Sequence, residues 1–303
     1  MSALFLFPGY GAQYVGMGKE FYDHYRCVQE LFEEASNCLN INFVKLCFAS
    51  SERELSKPSN AYQALFVVQS SIYAVLLEHG IEPSVITGWG VGYSSAHYVA
   101  GVINFPDGLY LLGKYLFFFD ELMHGQPIAV VRVSGMARSE LDALIEQHEL
   151  ANSVVLAMIR SECEFIVVGL AQSIALLRGL FNKKVMVVDE PLAYVLHCLC
   201  CAEMVQRVNA YLAKVDCSSP RYPLLNHEGE YIAIGQSIVK SQLTRFMYEP
   251  IDVPKVVQCL TSCTKLIQIG PSFLTPAIFK HYLPQTSVKV ILQRKDLKGL
   301  VRI

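Results

Sequence analysis

Gly88-Trp89-Gly90-Val91-Gly92 decides how this chain is read. The apolar run Pro83-Ser84-Val85-Ile86-Thr87 leads into it, and Ser94-Ser95-Ala96-His97-Tyr98-Val99-Ala100 follows with helical spacing. The local order is therefore strand, tight turn, helix. The glycine spacing is that of a Gly-x-Ser-x-Gly nucleophile elbow, whose sharp turn lifts a serine hydroxyl above a sheet. Here Gly90 stands where the nucleophile belongs. Spacing alone leaves a second reading open, a glycine-rich turn whose backbone N–H groups attract an anion at a helix N-terminus.

Working outward, residues 4–7 form a short apolar strand that runs into the loop Pro8-Gly9-Tyr10-Gly11-Ala12-Gln13. Helical patterning covers residues 19–37, 61–79 and 105–123. The texture then changes. Strand patterns at 127–133, 154–159, 164–168 and 185–188 alternate with helical patterns at 139–148 and 173–181. That β-α-β-β-α-β order is the ferredoxin-like pattern, a compact unit able to sit as an insert. Further on come a helix at 202–213, a strand at 222–225, a helix at 234–242, a strand at 264–269, a helix at 274–282 and a strand at 288–292. Alternating β and α units on both sides of the insert predict an α/β fold with one mostly parallel sheet flanked by helices.

Composition narrows the function classes. With 303 residues, 52% hydrophobic and 17% charged, the chain can bury a large core. A net charge of -2 without a dense Lys/Arg block argues against nucleic acid as a partner. No run reaches the roughly 18 apolar residues of a membrane span. Residues 1–8 lack the basic start of a secretory signal. Ten cysteines without such a signal read as reduced, buried thiols of a cytoplasmic protein. His197-Cys198-Leu199-Cys200-Cys201 has no second Cys/His pair at zinc spacing, so no metal site is expected.

Four segments together resemble the malonyl-CoA:acyl carrier protein transacylases and the acyltransferase domains of polyketide synthases. Phe5-Leu6-Phe7-Pro8-Gly9-Tyr10-Gly11-Ala12-Gln13-Tyr14-Val15-Gly16-Met17-Gly18 is similar to the family's opening Phe-Pro-Gly-Gln-Gly-Ala-Gln-x-x-Gly-Met-Gly. The elbow resembles Gly-His-Ser-x-Gly-Glu, Val195-Leu196-His197-Cys198 a Ser-His or Phe-His motif, and Ile269-Gly270-Pro271 a late Val-Gly-Pro-Gly. The resemblance covers nearly the whole chain. It implies an α/β-hydrolase-like core, residues 1–124 and 192–303, with a ferredoxin-like subdomain at 125–191.

The family's chemistry is ping-pong acyl transfer from coenzyme A, through serine, to the phosphopantetheine thiol of a carrier protein. A histidine takes the serine proton, two backbone N–H groups hold the oxyanion, and an arginine grips the free carboxylate of malonate. Carried over, the nucleophile falls on Gly90, the preceding histidine on Trp89 and the acid after the last elbow glycine on Tyr93. The arginine falls on Tyr115, and the opening loop's first glutamine on Tyr10. His197 keeps the base position, the N–H groups of Tyr10 and Val91 keep the oxyanion hole, and Asn226 keeps the asparagine after the late strand.

The resemblance thus implies a homologue whose active site is degenerate. It would bind no cofactor covalently, would take a coenzyme A thioester as ligand, and would have an acyl carrier protein or synthase protein as partner. Trp89, Tyr93, Tyr115 and Asn226 are the expected substrate-side residues. Two enzymatic alternatives stay open: hydrolysis of an acyl thioester by water activated at His197, and transfer through another nucleophile among Ser94, Ser95 and Cys198.

Overall fold

The computed structural model describes residues 3–122, 125–190, 201–234, 240, 242–245, 248–272 and 274–300. Eleven strands occur among them: β1 Ala3–Phe7, β2 Val85–Gly88, β3 Ile128–Ser134, β4 Val154–Ser161, β5 Glu164–Leu170, β6 Met186–Asp189, β7 Leu224–Leu225, β8 Tyr231–Ile232, β9 Ile251–Asp252, β10 Lys265–Ile269 and β11 Ser287–Ile291. Six make one sheet in the order β11-β10-β1-β2-β7-β8. Every pair in it is parallel except β7 with β8. The α/β architecture expected from sequence is the one observed.

β1 explains why this sheet lies at the centre. Phe5 and Phe7 enter one apolar cluster, while Leu4 and Leu6 enter another on the opposite face. A strand covered on both faces reads as a continuous apolar run, as Ala3-Leu4-Phe5-Leu6-Phe7 does. The first face is closed by helix Pro58–Glu78, buried almost all round, with helices Arg26–Leu39, Val91–Val99 and Phe105–Leu122 around it. Helix Pro58–Glu78 is, against the sequence reading, long and apolar enough to span a bilayer by length and composition, yet 83% of that window is buried inside the protein.

The second sheet has the order β6-β3-β5-β4-β9. Its first four strands are antiparallel neighbours, with helices Arg138–Gln147 and Ala171–Leu180 as the two connections. Alternation along β5 divides its burial: Ile166 and Val168 join the cluster against the central sheet, and Phe165 and Val167 face the two helices. β9 extends the β4 edge in parallel, from a stretch beyond residue 191.

Elements also differ from the sequence reading. Tyr25 adopts an extended conformation (φ −124°, ψ 123°) and splits residues 19–37 into helices Lys19–His24 and Arg26–Leu39. Helices Phe43–Phe48, Glu52–Leu55 and Val253–Cys259 were not anticipated. Of the helix expected at 234–242, residues 235–239 and 241 lie outside the described residues, and a short helix Gln242–Arg245 follows.

β1 and β2 are neighbours with Leu6 beside Thr87 and Phe7 beside Gly88. β10 pairs with the other side of β1, so the chain changes direction across the sheet at β1. Ligands of open α/β sheets bind beyond the carboxyl ends of strands at such a point. The loops leaving β1 and β2 meet there, without intervening side chains. A Cβ on Gly92 would stand 1.9 Å from the Phe7 carbonyl oxygen, one on Gly88 2.2 Å from that of Gly92, and one on Gly9 2.7 Å from that of Trp89. Gly92→Ala is therefore expected to lower unfolding free energy by about 3 kcal/mol or more, the upper end of overpacking costs, as read by urea titration.

Candidate active site at the elbow

The turn is built as the spacing predicts. Gly90 precedes helix Val91–Val99 with φ 55° and ψ −126°. The Gly92 N–H donates to the Trp89 carbonyl and the Tyr93 N–H to the Gly90 carbonyl, each at 3.0 Å. The Val91 N–H, in the first helical turn, has no acceptor among the described residues. A non-glycine residue at the Gly90 dihedrals would store about 1–3 kcal/mol of strain. Space is not the obstacle: a Cβ there would meet nothing nearer than the Gly9 Cα at 4.0 Å. Residue 90 has room for a side chain.

On the facing loop the Tyr10 hydroxyl donates to the Ser56 carbonyl at 2.7 Å, and its ring stacks on Tyr62 with centroids 5.3 Å apart. Burial raises the pKa of that hydroxyl, with a smaller opposing effect from Gln13. The side chain is thus tied to Ser56 and Tyr62, while the Tyr10 N–H has no acceptor among the described residues. Gln13 steadies the loop by accepting from the Gly11 N–H at 2.9 Å.

Trp89, Tyr93 and Tyr115 are all buried. Trp89 stacks on Phe279, centroids 6.2 Å apart, within the cluster between the two sheets. Its indole N–H has no partner among the described residues. Tyr93 stands edge-on to His97 at 4.3 Å and to His227 at 5.5 Å. The Tyr115 hydroxyl donates to the Leu243 carbonyl at 3.3 Å. Burial raises the hydroxyl pKa of both tyrosines far above the ordinary value, so both stay neutral. Tyr115, Ser94, His97, Ile103, Gly108, Leu111 and Leu243 enclose a void of about 10 Å³. That volume admits about one water molecule.

Ser94 and Ser95 are buried too, and the Ser95 hydroxyl donates to Gln69 at 2.6 Å. Asn226 directs its side chain into its own turn, accepting from the N–H groups of Glu228 and Glu230 at 3.0 and 2.8 Å and donating to the Glu230 carboxylate at 2.9 Å. His197 and Cys198 lie outside the described residues.

Sequence reasoning missed a polar cluster beside Tyr93. Buried His227, just past the carboxyl end of β7, donates through Nε2 to Glu249 at 3.2 Å. Glu249 and Glu228 both pair with Arg245. Burial works to raise the Glu249 pKa, but the hydrogen bond from His227 and the contact with Arg245 outweigh it and hold the carboxyl below its usual range. The signal was faint, since Asn226-His227-Glu228-Gly229-Glu230 reads as an ordinary polar turn.

A sequence profile for the acyl transferase domain matches residues 4–225. The chain is 25% identical over 281 residues to the malonyl CoA-acyl carrier protein transacylase of Bacillus subtilis (strain 168), covering 91% of this chain and 89% of that protein. The crystal structure of malonyl CoA-acyl carrier protein transacylase from Clostridium perfringens superposes with a TM-score of 0.89 at 24% identity, over 99% of this chain and 96% of that one. A malonyl-transacylase in complex with a type II polyketide synthase acyl-carrier protein gives a TM-score of 0.87 at 22% identity, over 98% of both chains.

His97 generates a pH prediction. Its Nδ1–H donates to the Tyr93 carbonyl at 2.8 Å, while Nε2 has no partner among the described residues. Burial, aided by His227 and opposed by the Tyr93 bond, lowers its pKa from 6.5 to about 4. The unfolded chain takes up a proton near pH 6.5 and the folded chain only near pH 4, so stability present above pH 6.5 is lost as pH falls through that window. The loss is about 3 kcal/mol for this group. Urea titrations at pH 7, 5.5 and 4 should show a flatter decline in His97→Gln; equal slopes would contradict the assignment.

Proposed function

Because this chain belongs to the acyl transferase domain family, we propose that it is a member that keeps the acyl-thioester scaffold and has given up the covalent step. The observation that carries this reading is Gly90 at the elbow, where the turn and the room for a side chain persist without a hydroxyl. Serine transfer needs an attacking oxygen that accepts the acyl group and later releases it. Ser94 and Ser95 are buried in the helix and do not supply one. A tyrosine at the arginine position, neutral and walled in, removes the two-point grip on malonate as well.

In this reading Tyr10 and Val91 present their N–H groups to a thioester oxygen, with His197 at the retained base position. Trp89, Tyr93 and Tyr115 fill space around the site, and Asn226 holds the turn after β7. Residues 1–124 and 192–303 form the acyltransferase core, and residues 125–191 the ferredoxin-like subdomain. The ligand is a coenzyme A or carrier-bound acyl thioester with an uncharged acyl group, and no cofactor is attached. The partner is an acyl carrier protein or a synthase protein of the cytoplasm. Two similarities support that partner: sequence likeness to a transacylase named for its carrier protein, and structural likeness to a transacylase complexed with one.

The test is acyl transfer from malonyl-CoA and acetyl-CoA to a holo carrier protein. The unaltered chain should give the rate of a protein-free control. Gly90→Ser should form an acyl-enzyme at least about 10-fold faster, if the oxyanion donors remain set for the reaction, and should prefer acetyl-CoA over malonyl-CoA. Transfer by the unaltered chain above the control rate would overturn the proposal.

A further inference from the structure

Beneath the elbow lies a buried polar link between the elbow helix and the loop after β1, with the loop after β10 packed beside it. Gln69 projects from helix Pro58–Glu78 and Ser95 from helix Val91–Val99, both at 0% exposure. The Ser95 hydroxyl donates to Gln69 Oε1 at 2.6 Å, and Gln69 Nε2 donates to the Pro8 carbonyl at 2.7 Å. One amide therefore bridges the elbow helix and the loop after β1. Its orientation is fixed, because the Pro8 carbonyl can only accept and so requires the NH₂ end, leaving Oε1 for the hydroxyl. The loop after β10 closes the third side. A Cβ on Gly270 would stand 3.1 Å from Gln69 Cγ, and Gln268 Nε2 donates to the Gly270 carbonyl at 2.8 Å.

The Pro8 carbonyl belongs to the peptide that joins Pro8 to Gly9. Gly9 is the residue pressed against Trp89, and the next N–H is that of Tyr10. Holding this carbonyl fixes the plane of the Pro8–Gly9 peptide, from which the stretch carrying the Tyr10 N–H continues. Without Gln69 the carbonyl would be a buried acceptor with no donor, and the loop would shift to find one. Backbone donors favour a developing or polarised oxygen only when they are already aimed at it, so a fixed loop is what turns two separate N–H groups into a site.

We propose that Gln69 and Ser95 are positioning residues that lock the loop at residues 8–13 against the elbow helix, presetting the N–H groups of Tyr10 and Val91 for one thioester oxygen. The thioester part of this statement rests on the function proposed above; the lock itself does not. Gln69→Met and Ser95→Ala test it, each first checked for a cooperative unfolding transition. Ser95→Ala removes a single hydroxyl and carries the test if Gln69→Met does not fold.

Amide hydrogen exchange across residues 9–13 should accelerate at least about 10-fold in the variants, with exchange in β1 and β10 unchanged. The infrared band of the ¹³C-labelled thioester carbonyl of bound acetyl-CoA should lie below its free position in the unaltered chain. In the variants it should move back toward the free position, while affinity for S-ethyl-CoA, which has no thioester oxygen, stays within about two-fold. Unchanged exchange in the loop would overturn the lock. A band at the free position in the unaltered chain, or one at the same place in chain and variants, would overturn the presetting of the two donors. Accelerated exchange with no binding of acetyl-CoA would uphold the lock and overturn the thioester reading.

Discussion

Two stretches of backbone approach each other in this protein with nothing but glycine between them. The loop leaving β1 and the elbow leaving β2 meet where added Cβ atoms on Gly9, Gly88 and Gly92 would stand 1.9–2.7 Å from carbonyl oxygens. That contact demands parallel neighbouring strands in a fixed register, and Phe7 beside Gly88 supplies it. It also demands a sheet that cannot slide. Phe5 and Phe7 on one face, and Leu4 and Leu6 on the other, anchor β1 in two separate apolar clusters.

In the function proposed above, that contact separates what the packing needs from what the chemistry needs. Gly88, Gly92 and Gly9 serve the packing whatever stands at residue 90. On the function proposed above, Trp89, Gly90 and Tyr115 stand in for groups the chemistry would need, and each also suits the folded state. Glycine at φ 55° avoids the strain that serine would carry at the turn. Trp89 adds a ring to the cluster with Phe279, and Tyr115 closes a position next to a water-sized void.

Much of this was legible in the sequence because the decisive elements are periodic or carry glycine. The continuous apolar β1, the elbow and the β-α-β-β-α-β order all announce themselves. What stayed hidden lacks such a signal. β8 and β9 have two residues each, too few for any period to show. The break at Tyr25 comes without a proline or glycine, from one extended residue inside a helical pattern. Asn226 matched a motif, yet only the structure reveals that its amide is spent on its own turn. Gln69 sits in an apolar helix, where pattern reasoning treats a glutamine as an interruption; its two partners are 26 and 61 residues away in sequence. His227 is likewise explained by Glu249, 22 residues away in sequence.

The acyltransferase fold is present in this chain, and in the function proposed above the covalent route through its elbow is closed. Intact-mass spectrometry of the unaltered protein after incubation with malonyl-CoA and acetyl-CoA tests it most directly, because an acyl-enzyme is a mass increment that needs no knowledge of the acceptor. A single unmodified species is expected with both thioesters. A stoichiometric acyl adduct mapped to Ser94, Ser95 or Cys198 would contradict it.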